Sequence, residues 1–216
     1  LGQYFQKILK TNKYDLYKTS KRKNISKNNY IPIDFLNFDK KKQNSLEKLV
    51  SPDLIIHCAS LTNVDECEKN KFLAYKINCE STKKIIEIFP NVKKIFISSD
   101  AVFGNEKFRY ETSKTNPINY YGITKCLSED LILAEKNNIV IRTTPVGFNI
   151  LDKNSFVDWI VNEKTVKKLY SNVIFNPIHC EFLVKYSMQL IRLKKTGIWH
   201  INSRTKLSKF KFGLRL

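Results

Sequence analysis

The run Lys94-Ile95-Phe96-Ile97-Ser98-Ser99-Asp100-Ala101-Val102-Phe103-Gly104 decides the fold. Its unbroken apolar core followed by small polar residues and a glycine reads as a strand covered on both faces that ends in a sharp turn. Upstream, Leu54-Ile55-Ile56-His57-Cys58 has the same character, and helical periodicity over residues 71–88 separates the two runs. A second helix over 120–136 leads to a further apolar run at 139–142. Strands alternating with helices of this length form βαβ units around a parallel sheet. Working outward, strands are expected at 15–18, 30–33, 53–58, 94–98 and 139–142, with a short helix at 45–50. Beyond Arg142 the alternation weakens to a helix at 155–162, a strand at 166–170, a helix at 181–193, a strand at 197–201 and a helical pattern from 207 to 216. The expectation is one sheet domain over residues 1–145 and a small cap over 146–216, interleaved with it.

Composition narrows the function classes. With 216 residues, 42% hydrophobic and 27% charged, the chain has an ordinary globular balance, and disorder or coiled coil is excluded. No apolar run reaches the roughly 18 residues that cross a bilayer, and residues 1–13 lack a signal-peptide layout, so a cytoplasmic protein without a membrane partner is expected. Five cysteines, odd in number and without a C-x-x-C, suggest neither a disulfide framework nor zinc. His57, His179 and His200 are far apart among apolar neighbours, so no metal is expected; Trp159 and Trp199 read as packing residues. The net charge of +18 is mostly lysine scattered along the length, which does not make a nucleic-acid footprint but would attract a phosphorylated ligand. The chain opens at Leu1, its single methionine is Met188, and both ends lie within helical patterns, so it reads as a fragment of a longer protein.

Chemistry concentrates in two places. Tyr121 and Lys125, four residues apart on a helix, project from one face. An ammonium beside a phenol stabilises the phenolate and makes the tyrosine a usable acid or base. Ser98-Ser99-Asp100 lies at the carboxyl end of the central strand, where open α/β sheets place their sites, and a serine there can hydrogen-bond a carbonyl oxygen that the tyrosine protonates.

These motifs, taken in order, resemble the extended short-chain dehydrogenase/reductase family and its dTDP-4-dehydrorhamnose reductase-like branch. The likeness rests on the run from Pro52 to Glu68 with Ala59-Ser60-Leu61-Thr62-Asn63-Val64-Asp65-Glu66-Cys67-Glu68, on Ser98-Ser99-Asp100-Ala101-Val102-Phe103, on Pro117-Ile118-Asn119-Tyr120-Tyr121-Gly122-Ile123-Thr124-Lys125 and on Ile141-Arg142-Thr143-Thr144. The resemblance implies an α/β Rossmann-type doubly wound parallel sheet with a small C-terminal substrate-binding cap. It implies an oxidoreductase of carbohydrate biosynthesis that reduces a nucleotide-linked 4-keto-deoxysugar. Tyr121 would donate the proton, Lys125 would lower its pKa and hold the nicotinamide ribose, Ser99 would polarise the carbonyl, and Asn78 would support the proton relay. Asp34 and Phe35 would meet the adenine, Cys58, Ala59 and Ser60 would border the cofactor, and Gly2 would be the last glycine of the phosphate loop, whose first strand and earlier glycines the sequence lacks. Without that loop the fragment is expected to bind dinucleotide poorly and to be inactive. Ser99, Asp100 and Thr144 would contact substrate.

Cofactor choice follows from charge. Thr19-Ser20-Lys21-Arg22-Lys23 carries no carboxylate for ribose hydroxyls, and Lys21 and Arg22 can pair with a 2′-phosphate, favouring NADP(H) over NAD(H). Pro145 stands where the rhamnose-forming reductases carry a tryptophan, which leaves the sugar open. A nucleotide-sugar epimerase and a non-catalytic regulatory subunit resembling the methionine adenosyltransferase β subunit are the alternatives, with a nucleotide sugar as the small-molecule partner and a homodimer as the assembly to be tested.

Overall fold

Alternation along two neighbouring apolar runs gives the sheet two buried faces. The computed structural model describes residues 1–10, 14–20, 30–34, 46, 49–104, 109–149, 155–162 and 169–216. Four parallel strands, β3 (Leu54–His57), β4 (Lys93–Ile97), β5 (Ile139–Arg142) and β9 (Gly197–His200), hydrogen-bond in that order. Ile95, Ile97, Ile139 and Ile141 turn to one face, where α1 (Gly2–Leu9) and α7 (Cys180–Arg192) supply Tyr4, Phe5, Leu9, Leu183 and Val184. Phe96 and Val140 turn to the other, against Ile132 of α5 (Tyr120–Leu133). Each fully buried side chain of this size contributes roughly 1.5–3 kcal/mol, so the layers hold chiefly by burial.

A short parallel ribbon, β1 (Lys18–Ser20) with β2 (Tyr30–Pro32), forms its own sheet among the described residues. The expected strand at 15–18 begins instead at Lys18, where the register Lys18 to Tyr30 starts. Leu54, Ile55 and Ile56, expected to be covered on both faces, are half-buried because they line a cavity. Residues 71–88 do not form one helix. After α2 (Val64–Lys69), Asn70 caps α3 (Lys71–Tyr75), a π-helical turn spans Lys76–Glu80, and α4 (Ser81–Ile88) resumes. Of residues 45–50, Leu46 and Leu49 are helical, while 45, 47 and 48 lie outside the described residues.

The second half is built of small pieces. β6 (Pro145–Val146) pairs in parallel with β8 (Ile178–His179), and β7 (Ile174–Phe175) pairs antiparallel with β10 (Leu207–Ser208). The strand expected at 166–170 is not found at 169–170, and 166–168 lie outside the described residues. Helix α6 (Phe156–Asn162) starts from a reciprocal cap: the Asp158 carboxylate accepts from Ser155 N–H and O–H, and Ser155 Oγ accepts from Asp158 N–H. Phe212 of α8 (Lys209–Gly213) stacks on Phe156 at 6.0 Å, joining the two helices. No described helix is long and apolar enough to cross a membrane.

One ion pair clamps the carboxyl ends of the central strands. Arg142 Nη2 donates to Glu129 Oε2 at 2.7 Å and its Nε donates to both carboxylate oxygens at 3.1 Å. Ser98 Oγ donates to Glu129 Oε1 at 2.5 Å. Both charged residues are at most 4% exposed. Removing one partner strands the other charge away from water, so Arg142→Met is expected to cost about 3–5 kcal/mol in urea unfolding. Replacing both partners with apolar residues should cost less than either single change, and equal or greater loss would refute this account of the pair.

Candidate active site

Tyr121 stands on the first turn of α5, directly beside the loop that follows β4. The helix begins there because Asn119, in extended backbone, accepts from Gly122 N–H at 2.8 Å. Gly122 allows the close approach of helix and loop, since a Cβ at that position would overlap the Ala101 carbonyl oxygen and lie 2.9 Å from Pro117 Cβ. Ser99 caps the 3₁₀ turn Asp100–Val102, accepting from Ala101 N–H at 3.2 Å. Its hydroxyl donates to Asp100 Oδ1 at 3.1 Å and lies near enough to the Tyr121 phenol to pull its pKa down. Ser99 and Tyr121, expected to share a site, line one cavity.

Burial governs the electrostatics of Tyr121 and Lys125. Burial pushes the Tyr121 phenol up to about 12; the Ser99 hydroxyl opposes that rise, and the Asp100 and Cys67 charges add to it. Lys125 is not among the groups acting on Tyr121. Its Nζ instead donates to the Ile97 carbonyl at 2.7 Å and lies 4.1 Å from the centroid of the Phe96 ring. Burial brings the Lys125 ammonium down to about 8, with Glu129, Cys58 and Cys79 acting in the opposite sense. In this geometry the lysine is anchored on the sheet.

Asn78 sits on the π-helical turn, a local widening often associated with function. Its carboxamide is fully engaged: Oδ1 accepts from Leu61 N–H at 2.7 Å and Ser60 O–H at 3.0 Å, and Nδ2 donates to Leu61 O and Thr124 Oγ1. Asn78 thus ties the loop after β3 to the Tyr121 helix. Thr82 Oγ–H donates to Asn78 O at 2.6 Å, so His57 Nε2 must be the donor in its 3.0 Å bond to Thr82. His57 is thus a buried strand position whose ring is satisfied by Thr82, a helix away.

A cavity of about 1500 Å³ opens beside this cluster, lined by Gly2, Cys58, Ala59, Ser60, Ser99, Tyr121 and Lys125 among others. Gly2 at the amino end of α1 has 4.0 Å between an added Cβ and Cys58 Cβ, so a ligand can approach the helix end. Burial pushes the Cys58 thiol up to about 11, leaving a small uncharged side chain at this wall. Ile31 and Ile33 line the cavity, and Asp34 directly follows. Phe35, Lys21 and Arg22 lie outside the described residues. Thr144 Oγ–H donates to Asn176 O at 2.6 Å, and its flanking residues Thr143 and Pro145 line the cavity. Gly122 and Glu68 carry weight that sequence reading did not assign; a glycine inside the first turn of a helix was the available signal for one of them.

Two measurements follow. Gly122→Ala should destabilise the fold by about 1–3 kcal/mol through overpacking against Ala101, whereas Ala at an exposed helix position would stabilise. Wild-type stability in urea unfolding would contradict the close contact. Burial, aided by Lys125, brings His57 down from 6.5 to about 3. Between those values the unfolded chain binds a proton that the folded chain does not, so stability falls as pH drops through 6.5 toward 3, by at most about 1.4 kcal/mol per pH unit. His57→Gln should flatten this slope, and unchanged slopes would show that His57 does not titrate on unfolding.

The family model for the RmlD substrate binding domain matches residues 1–216. The spore coat polysaccharide biosynthesis protein SpsK of Bacillus subtilis is 29% identical over 176 residues, covering 74% of this chain and 59% of that protein. The chain therefore spans little more than half the length of this curated relative. A hypothetical dTDP-4-dehydrorhamnose reductase from Sulfolobus tokodaii superposes with a TM-score of 0.83 at 28% identity, over 99% of this chain and 76% of that one. The dTDP-4-dehydrorhamnose reductase of Bacillus anthracis, solved in complex with NADP, has a TM-score of 0.72 at 25% identity over 86% of this chain and 70% of that one. With its parallel sheet flanked by helices and a match along its whole length, the chain belongs to the RmlD substrate binding domain family, the dTDP-4-dehydrorhamnose reductase-like branch of the extended short-chain dehydrogenases/reductases.

Proposed function

We propose that this chain is part of an NADPH-dependent reductase acting on a nucleotide-linked 4-keto-deoxysugar. The observation that carries the reading is the placement of Ser99 and Tyr121 together on the wall of a cavity large enough for a dinucleotide and a sugar. The NADP bound to the Bacillus anthracis reductase supports the choice of cofactor.

In this reading residues 1–145 hold the cofactor and residues 146–216 contribute to the substrate pocket. The fit to a nicotinamide dinucleotide rests on the accessible end of α1 at Gly2, the small uncharged wall at Cys58 to Ser60, and Lys125 deeper in the cavity. When bound, the dihydronicotinamide supplies a hydride. Tyr121 keeps its proton at neutral pH because its pKa is high, so it can act as donor to the carbonyl oxygen as that oxygen gains charge. Ser99 can offer a second hydroxyl to the same oxygen once its O–H turns from Asp100 Oδ1. The ketone thereby gains one hydride at carbon and one proton at oxygen, leaving an alcohol and a tyrosinate that takes its proton back from solvent. For Lys125 to assist, its Nζ must leave the Ile97 carbonyl, a rotamer change on a flexible side chain.

The test uses the full-length protein. Tyr121→Phe should lower NADPH-dependent reduction of dTDP-4-dehydrorhamnose by about 10²–10⁴-fold while NADPH binding by calorimetry stays within about twofold. Undiminished turnover in that variant would dismiss the tyrosine as proton donor.

A further inference from the structure

The Asn63-to-Glu68 run contributes an acidic residue with no part in the chemistry above. Glu68 is the penultimate residue of α2, whose Cys67 is completely buried. Glu68 Oε1 accepts from the backbone N–H of Tyr120 at 2.5 Å, a bond between residues 52 apart in sequence. Its other oxygen lies 3.9 Å from Lys71 Nζ, and that ammonium sits 5.5 Å from the centroid of the Tyr120 ring.

A helix leaves its first N–H groups without partners inside the helix. In α5, Asn119 satisfies Gly122 N–H and Glu68 satisfies Tyr120 N–H, so the two residues flanking Tyr121 are each held by a side-chain oxygen. Asn119 belongs to the same segment as the helix and moves with it. Glu68 does not: it fastens the first turn to α2, while Gly122 closes against Ala101 next to Ser99. A carboxylate at the positive end of a helix gives a charge-assisted hydrogen bond. The Glu68 side chain is 43% exposed, so water competes for the same N–H.

We infer that Glu68 is a positioning residue: by gripping Tyr120 N–H from α2, with Lys71 over the Tyr120 ring, it fixes the first turn of α5 and thereby the place of Tyr121 beside Ser99. The inference rests on the proposed role of Tyr121. A displacement of a reacting group by about 1 Å can cost on the order of 100-fold in rate without weakening ground-state binding.

The bond can be removed from either side. Glu68→Ala deletes the acceptor and Glu68→Gln keeps one. Tyr120→Pro deletes the donor at the first helical position, where proline is accepted; Asn119 already has the extended backbone (φ −144°, ψ 161°) that a following proline requires. Tyr120→Ala keeps the N–H and controls for the lost ring. In the full-length protein, turnover of dTDP-4-dehydrorhamnose with NADPH and hydrogen exchange over residues 118–124 are measured for each variant. Glu68→Ala and Tyr120→Pro should each lower kcat by about tenfold or more with KM changed less than about twofold, and the double variant should lose no more than the worse single. Glu68→Gln should stay within about threefold of wild type, and amide exchange over 118–124 should rise about tenfold in Glu68→Ala alone of the two Glu68 variants. Unchanged exchange in Glu68→Ala, or losses that multiply in the double variant, would overturn the inference. If Tyr121→Phe turns over normally, the tyrosine reading fails instead, and the exchange measurement still decides whether Glu68 fixes the turn.

Discussion

The buried carboxylate of Glu129 is the point on which the candidate site hangs. It receives Arg142 from the end of β5 and Ser98 from the end of β4, and it projects from α5 one turn beyond Lys125. Two strand ends and the helix between them are thereby held at one height. Desolvating two charges is repaid only when the geometry satisfies both, and here the guanidinium donates to both oxygens while Ser98 takes part of the remaining capacity. The Ile97 carbonyl that receives Lys125 adjoins Ser98, so the same clamp also sets where the lysine is anchored.

A second polar device works in the neighbouring layer. Asn78 and Thr82 join the loop after β3 to α5 and to His57, with every Asn78 side-chain group in use. Buried polar networks of this kind are costly if incomplete and rigid when complete. The π-helical turn that presents Asn78 interrupts what would otherwise be one helix, and the interruption places its carboxamide between Leu61 and Thr124. At the opposite end of β4, fully buried Lys94 bonds Glu135 Oε2 at 2.6 Å and the Val92 carbonyl, pinning the start of the strand. The sheet is thus packed by apolar residues and registered by polar ones at both ends.

These constraints give Tyr121 and Lys125 different surroundings despite a shared helix face. The phenol lies at the cavity wall against Ser99, whereas the ammonium is drawn to a backbone carbonyl and an aromatic face beneath it. Desolvation dominates both, raising the pKa of the phenol and lowering that of the ammonium, so that the neutral form of each group is favoured.

Local pattern determined much of this architecture. The apolar runs at Ile95-Phe96-Ile97 and Ile139-Val140-Ile141 fix buried parallel strands because no other element hides two apolar faces over so few residues. Ser99, Tyr121 and Lys125 were legible as a group because strand-end position and helical spacing are local properties. Tertiary structure decided what depends on partners distant in sequence. The contacts of Asn78, the neutral His57, the half-buried face of Leu54 to Ile56 and the anchoring of Lys125 on Ile97 all depend on partners 17 or more residues away or on the cavity itself. Spacing states which side chains share a face; only packing sets which atom of a neighbouring element that face meets, and hydrogen bonds form or fail over fractions of an ångström.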